Sequence, residues 1–387
     1  MIYLNFIIGY FSTIISMRNT FIEINLKNLN NNIQKIADSI GNAKIMPVIK
    51  ANAYGHGMIG IAKNINHPKI EMLGIAYPSE GIELRNIGET RKILLLIPPE
   101  VEEITDVIDN NLDITIGHIQ YIAEINEIAR KRHTKIKAHL YVNTGMNRDG
   151  INFDEYKELI PKLDNFQNIE FEGICSHFAT SDMEDTSFAQ FQINNFKRFL
   201  DYADSHNLHF KYRHISNSAG IVNLPKAIYD IVRPGFAIYG LMPQKHLADK
   251  LELEPILSLK TFIKKIFPVN TGETAGYSLK YTADKPTKIA VLPIGYGDGI
   301  VLNLTNNSQC LIKGKRYNLV GSICMDQLFA DIGYDDIDEG EQVVLIGKQG
   351  REEISVYELA DRANTIPYNI TTSILKRVPR FFTEDNV

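Results

Sequence analysis

The chain has 387 residues, enough for one large barrel with a smaller domain or for two to three ordinary domains. Hydrophobic residues make up 44% and charged residues 22%, and the net charge of −5 leaves no basic excess for binding nucleic acid. Its three cysteines, Cys175, Cys310 and Cys324, stand far apart with no CxxC pair, which argues against a disulfide framework or a structural zinc site and fits a reducing, cytoplasmic setting.

Residues 1–16 are mostly apolar, lack the basic start of a signal peptide and are short for a membrane span. They read as a leader outside the fold, with translation starting at Met17; a membrane anchor is the alternative. Phe21–Asn25 reads as a strand. Leu26 to Ile40 carries Leu29, Ile33, Ile36 and Ile40 at helical spacing, and Gly41 stops it. Short apolar runs then recur at 45–49, 72–76, 93–97, 113–116, 138–142, 171–175, 212–215 and 231–232. Helical stretches such as 79–87, 119–132 and 188–203 alternate with them. Strands alternating with helices predict an α/β fold, a (β/α)8 TIM-type barrel over residues 17–253. From 254 to 387 the runs are short, β-rich and separated by Gly and Asp turns, with one helix at Val356–Ala363; this predicts a C-terminal β-rich domain.

A barrel of this kind carries its chemistry just after its strands. The stretch Met46-Pro47-Val48-Ile49-Lys50-Ala51-Asn52-Ala53-Tyr54-Gly55-His56-Gly57 ends a buried run on a lysine. Such an ammonium either reaches water along its stem or sits partly dry with a lowered pKa. The second state suits Schiff-base chemistry, because only the neutral amine attacks a carbonyl. Tyr54, four residues on, shares a face with Lys50 if the chain turns helical there. Arg148, His177, Ser218, Arg233 and Gly235 each follow a later strand. The loops carrying Ser218 and Gly235 follow strands seven and eight, where such barrels commonly bind phosphate.

The string Val48-Ile49-Lys50-Ala51-Asn52-Ala53-Tyr54-Gly55-His56-Gly57 resembles the pyridoxal-phosphate (PLP) lysine motif of the alanine racemases. From about Arg18 to Phe381 further stretches resemble that family in order and spacing. They are Thr144-Gly145-Met146 with Arg148, Ser176-His177-Phe178-Ala179, Asn217-Ser218-Ala219, Arg233-Pro234-Gly235, Gly276-Tyr277-Ser278, Ile294-Gly295-Tyr296-Gly297-Asp298-Gly299, Cys324-Met325-Asp326-Gln327 and Pro367-Tyr368. The resemblance implies a PLP-holding barrel, a β-rich C-terminal domain and a head-to-tail homodimer with mixed active sites, acting on a small amino acid and requiring no metal. Lys50 would hold PLP and act as base on one face of the substrate; Tyr277 of the partner subunit would be the base on the other. Arg233, hydrogen-bonded by His214, would contact the pyridine nitrogen and keep it unprotonated, because arginine does not readily lose its proton. Tyr54, Ser218, Gly235 and Tyr368 would hold the phosphate, with Asn217 beside them. His177 would lie along the ring, Arg148 would approach the cofactor's phenolic oxygen and the substrate carboxylate, and the partner's Met325 would offer its backbone N–H to that carboxylate. Tyr296 would line the entrance and Asp326 would act only through its neighbours.

The chain departs from the family pattern in places. Many members carry a lysine, often carbamylated, where this chain has Tyr141, and an Asp where it has Asn143. Arg148 is then left to an anion such as chloride, to the Tyr141 hydroxyl, or to a looser hold. Gly276 and Ser278 reverse the usual order around Tyr277, and Asn369 stands where Glu is common. The function implied is interconversion of L- and D-alanine for peptidoglycan. A serine or broad-specificity racemase, a barrel-fold PLP decarboxylase and a non-enzymatic PLP carrier are the alternatives; Tyr277 and Arg233 suit racemisation, and the β-rich domain argues against the carrier.

Overall fold

A computed structural model describes residues 19–384; the apolar leader over 1–16 and the start at Met17 lie outside the described residues. The chain divides into two compact units. One holds Asn25–Ile256, Ile366–Thr372 and the described residues from Phe382 onward. The other holds Leu257–Thr365, Ser373–Phe381 and the described residues up to Ile24. The sequence boundary between 253 and 254 lies close to the observed division at Ile256, but three segments change sides: the described residues up to Ile24, Ile366–Thr372 and those from Phe382 onward. The strand β1 (Phe21–Asn25) pairs antiparallel with β10 (Leu257–Phe262), so its edge is completed within the β-rich unit. Tyr368, expected in the C-terminal domain, sits on a short helix (Pro367–Thr372) that belongs to the first unit.

In the first unit eight parallel strands close on themselves: β2 (Lys44–Ile45), β3 (Met72–Ile75), β4 (Lys92–Leu95), β5 (Ile114–Ile116), β6 (Ile136–Tyr141), β7 (Ile169–Cys175), β8 (Tyr212–His214) and β9 (Ile231–Val232). Ladders join β3–β4, β5–β6–β7–β8 and β9–β2. Single parallel bridges at Val48–Gly74, Leu94–Asp113 and Asn217–Arg233 complete the ring. The first barrel strand was expected to run to Ile49, yet its ladder ends at Ile45 with one further bridge at Val48. Pro234 has no N–H to carry the pairing with β9 further and Pro47 has none to give to β3, although Met46 N and Val48 N still donate to Val232 O and Pro234 O at 2.9 Å. Met46, Met72, Leu94, Tyr212 and Ile231 form the apolar filling of the barrel.

The helix Leu26–Ser39 is capped by Asn25, whose side chain accepts from Asn28 N, and buries Leu29, Ile33 and Ile36 on one stripe. Each such side chain is worth about 1.5–3 kcal/mol when fully buried. Helices at Pro78–Asn86, Ile122–Lys131 and Ser187–Ser205 match the helical stretches expected between strands to within a few residues.

The second unit is built on a sheet in the order β11-β12-β15-β14-β13-β16-β10-β1-β18, with β17 on β16. Its strands after β10 are β11 (Lys265–Val269), β12 (Thr287–Leu292), β13 (Ser308–Ile312), β14 (Lys315–Val320), β15 (Leu328–Asp331), β16 (Gln342–Gln349), β17 (Glu352–Ile354) and β18 (Arg380–Thr383). One helix, Val356–Ala363, carries Ser355 as its N-cap and stops at Asn364 with φ of 51°. No helix of the described residues is long and apolar enough to cross a membrane.

Candidate active site

Lys50 opens a turn that winds the wrong way. Ala51, Asn52, Ala53 and Tyr54 all have φ between 51° and 54°, the left-handed region, and Gly55 follows at 89°. The sequence suggested an ordinary helical turn here, so this is a correction. Left-handed helix costs about 1–2 kcal/mol per non-glycine residue. Asn52 tolerates this region better than most residues, and hydrogen bonds from Ala53 N to Ile49 O (2.8 Å) and Gly55 N to Ala51 O (3.1 Å) offset the cost. Glu80 anchors the turn from the helix Pro78–Asn86: one oxygen accepts from Ala51 N at 2.6 Å, the other from Ala76 N at 2.7 Å. Asn52 closes it by accepting from Met58 N at 3.0 Å. Burial holds the Lys50 ammonium below its usual pKa, Arg148 and Arg233 lower it further, and Glu80 opposes them.

A cavity of about 490 Å³ opens over this turn, and Lys50, Tyr54, Arg148, His177, Asn217, Ser218, Arg233, Gly235 and Tyr368 all line it. At one end Ser218 Oγ accepts from Gly235 N (3.1 Å) and Ala237 N (3.2 Å), which leaves its own proton to donate. Gly235 is needed for closeness: a Cβ there would lie 2.6 Å from the Tyr54 hydroxyl. Phe236 stacks on Tyr368 with ring centroids 4.1 Å apart, and Tyr54 packs at 5.9 Å from Tyr368. Burial raises the Tyr54 phenol well above its ordinary value, so it stays a protonated donor. Asn217 caps the short helix Ser218–Asn223, accepting from Gly220 N at 2.9 Å and from the Ser181 hydroxyl at 2.9 Å. Its side-chain oxygen therefore serves the loop.

Arg233 is buried, 5% exposed. Its Nη1 donates to Nδ1 of His214 (2.6 Å) and to the His214 carbonyl (2.9 Å). Its Nη2 donates to the Ser176 carbonyl (2.6 Å), the Ile215 carbonyl (3.1 Å) and Nδ1 of His177 (3.2 Å). His214 in turn lies 2.7 Å from His139, which the sequence reading missed; an inward-facing position on β6 was its only signal. Burial, then Arg233, hold His177 and His214 well below the usual histidine pKa.

Arg148 lies on the loop after β6. Its Nη2 is 3.5 Å from the buried Tyr141 hydroxyl, and its Nε is 3.6 Å from Asp149. Asn143 builds the loop, its Oδ1 accepting from Gly145 N (3.0 Å) and Asn147 N (3.2 Å). Thr144 Oγ1 bonds Ser176 Oγ at 2.8 Å and ties this loop to the one carrying His177.

In the β-rich unit Tyr277 is 71% exposed. Gly276 before it has φ 76° and ψ −170°, a region essentially reserved for glycine, and Ser278 after it takes φ 62°. Tyr296 and Met325 are exposed as well. Their loops are joined by hydrogen bonds from Tyr296 N to Cys324 O (3.0 Å) and Gly297 N to Met325 O (2.9 Å). Asp326 meets Arg377 Nη2 at 2.7 Å, while Arg377 Nε meets the buried Asp298 at 2.6 Å. Arg377 thus clamps both loops, a role hidden in the sequence because its partners lie 51 and 79 residues away.

Family models for the N-terminal domain of alanine racemase and for its C-terminal domain match residues 24–243 and 256–382. The alanine racemase of Carboxydothermus hydrogenoformans is 38% identical over 368 residues, covering 95% of this chain and all of that protein. That of Halothermothrix orenii is 37% identical over 94% of this chain and 96% of its own length. Among solved structures, the alanine racemase of Clostridium difficile 630 superposes with a TM-score of 0.89 at 36% identity, over 95% of this chain and 96% of that one. The alanine racemase of Bacillus anthracis with bound L-Ala-P superposes with a TM-score of 0.90 at 33% identity, over 95% of each chain.

Proposed function

This chain belongs to the alanine racemase family and is an isomerase, and on that premise we propose that it interconverts L- and D-alanine on PLP held by Lys50, with Tyr277 of a second copy as the opposing base. The reading rests on one observation above all. The cavity wall sets an amine held below its usual pKa near the guanidinium of Arg233 and a hydroxyl-lined cradle around Gly235. A flat phosphorylated aldehyde with a ring nitrogen fits that set of donors. Tyr54, Ser218 and Tyr368 would hold its phosphate, Gly235 would let the phosphate approach the backbone, and Arg233 would face the ring nitrogen.

PLP, when bound, supplies the electron sink that makes a substrate Cα–H acidic enough to remove. The chain does the rest. Lys50 Nζ takes or returns the proton on one face. Tyr277 Oη of the second copy does so on the other, because racemisation needs a base on each side. Arg148 draws the substrate carboxylate, joined by the Met325 backbone N–H of the second copy. Arg233 keeps its proton and donates a hydrogen bond, which limits how much charge the ring can accept and so restrains side reactions. His177, neutral under the nearby cations, packs along the ring. Tyr296 of the second copy guards the entrance. The setting is cytoplasmic, the assembly a head-to-tail homodimer, and the product D-alanine for peptidoglycan.

The test is direct. Purified protein should carry the visible absorbance of bound PLP and turn L-alanine into a mixture of both isomers by chiral analysis. Lys50→Ala should lose both properties. Absence of PLP from the wild-type protein, even after PLP is added, would end this account, and faster turnover of L-serine than of L-alanine would replace the substrate.

A further inference from the structure

The hydrogen bonds around Arg233 run further into the barrel than the cavity does. A guanidinium only donates, so Nδ1 of His214, 2.6 Å from Nη1 of Arg233, must offer a bare lone pair. A neutral imidazole holds one proton, and in His214 it therefore sits on Nε2. That N–H points at Nδ1 of His139 across 2.7 Å. Nδ1 of His139 must then be bare as well, and its proton sits on Nε2. Protons are thus ordered in one direction, from the guanidinium inward through two rings.

We propose that His139 is a positioning residue for Arg233: by accepting from His214 at Nδ1 it fixes the tautomer of His214, and with it the hydrogen bond that orients the guanidinium. Moving the His139 proton to Nδ1 would set two N–H groups head-on at 2.7 Å. His214 could relieve that only by moving its own proton to Nδ1, which would then oppose the Nη1 protons of Arg233 at 2.6 Å. A doubly protonated His139 would force the same reversal.

The barrel is built to hold His139 in place. All three side chains are buried, and His139 and His214 have no exposed surface. The His139 ring stacks on Tyr212 with centroids 5.6 Å apart and planes inclined by 24°. It lies over Gly173 of β7, where a Cβ would come within 2.5 Å of Nδ1, so only glycine leaves it room. Burial opposes a second proton on either ring. Of the charged groups that act on His139, Glu172 favours that proton, whereas Lys92 and Arg233 oppose it.

The consequence for catalysis rests on reading Arg233 as the partner of the PLP ring nitrogen; the proton order itself does not. The experiment separates the two. Full-length protein labelled with 15N-histidine is examined by long-range proton–nitrogen correlation, and bound PLP is read from visible absorbance in the same sample. Two rings should show a protonated Nε2 and a bare Nδ1, unchanged across the range in which a free histidine titrates. His139→Gln should remove one of these signals, offer an amide oxygen in its place and leave His214 protonated on Nε2. His139→Phe, similar in shape but without an acceptor, should let His214 mix its tautomers. It should also weaken PLP binding about tenfold, the scale of one hydrogen bond to a charged group. Protonation of Nδ1 in either wild-type ring overturns the inference, as does a His214 signal unmoved in His139→Phe. Should His139→Phe not fold, the wild-type tautomers alone decide. A protein without PLP whose tautomers match would keep the proton order and sink only the cofactor reading.

Discussion

Nη2 of Arg148 and the hydroxyl of Tyr141 lie 3.5 Å apart, at the outer limit of a hydrogen bond, and Tyr141 is buried at the end of β6 while the Arg148 side chain is 54% exposed. Asp149, at 3.6 Å from Nε, is the one carboxylate that pairs with Arg148 among the described residues. A neutral phenol directs the guanidinium without cancelling its charge. That charge stays available for the substrate carboxylate that the proposed function assigns to it, and it is the second cause of the lowered Lys50 pKa after burial.

Removing the hydroxyl should therefore cost orientation more than chemistry. Tyr141→Phe is expected to raise the KM for alanine about fivefold, the scale of one weak hydrogen bond to a charged group, with a smaller change in kcat. Steady-state kinetics in both directions measure this. An unchanged KM would mean that the loop built by Asn143 holds Arg148 unaided.

The second base is tested by asymmetry. Tyr277→Phe should slow proton removal from L-alanine far more than from D-alanine, because the proposed assignment leaves the D-isomer to Lys50. General acid–base assistance contributes about a hundredfold or more when intact, so a loss on that scale is expected in one direction. Hydrogen–deuterium exchange at Cα, followed separately for each isomer, gives the readout. Equal losses would contradict the two-base assignment. Mixed Lys50→Ala and Tyr277→Phe subunits should regain part of the activity if two copies share each site, and no recovery would count against sharing.

The sequence carried the barrel well, because eight apolar runs alternate with helical patterns, as eight βα units require, and each run from Met72 onward lies on an observed strand. It also led to residues that line one cavity wall, from Lys50 to Tyr368. What it could not carry were pairings across long separations. Glu80 reaches a backbone N–H of the Lys50 turn from 29 residues away, and His139 meets His214 across 75. The hand of the turn after Lys50 was also hidden, since Ala-Asn-Ala-Tyr on its own favours the right hand and tertiary hydrogen bonds reverse that preference. Pro47 and Pro234 were in plain view, and their missing N–H groups account for the interrupted pairing of the first barrel strand with β3 and with β9.

One buried carboxylate works against stability at neutral pH. Asp113, where β4 bridges to β5, is 5% exposed, and its Oδ2 has no hydrogen-bond partner among the described residues. Burial raises its pKa from 3.8 to about 6; Glu172 pushes the same way, while Lys92, Lys137 and Arg85 pull it down. An acid with a raised native pKa binds its proton more tightly when folded. The resulting stability is complete below the unfolded value and is lost as pH rises through about 6. Asp113→Asn, which never ionises, should therefore match the wild type in acid and exceed it above that range by about 1–3 kcal/mol. Urea unfolding of the barrel transition at two pH values, one on each side of the native pKa, measures the difference. A mutant no more stable than the wild type at the higher pH would show that Lys92 and its neighbours already neutralise the carboxylate, because their attraction would then outweigh its desolvation.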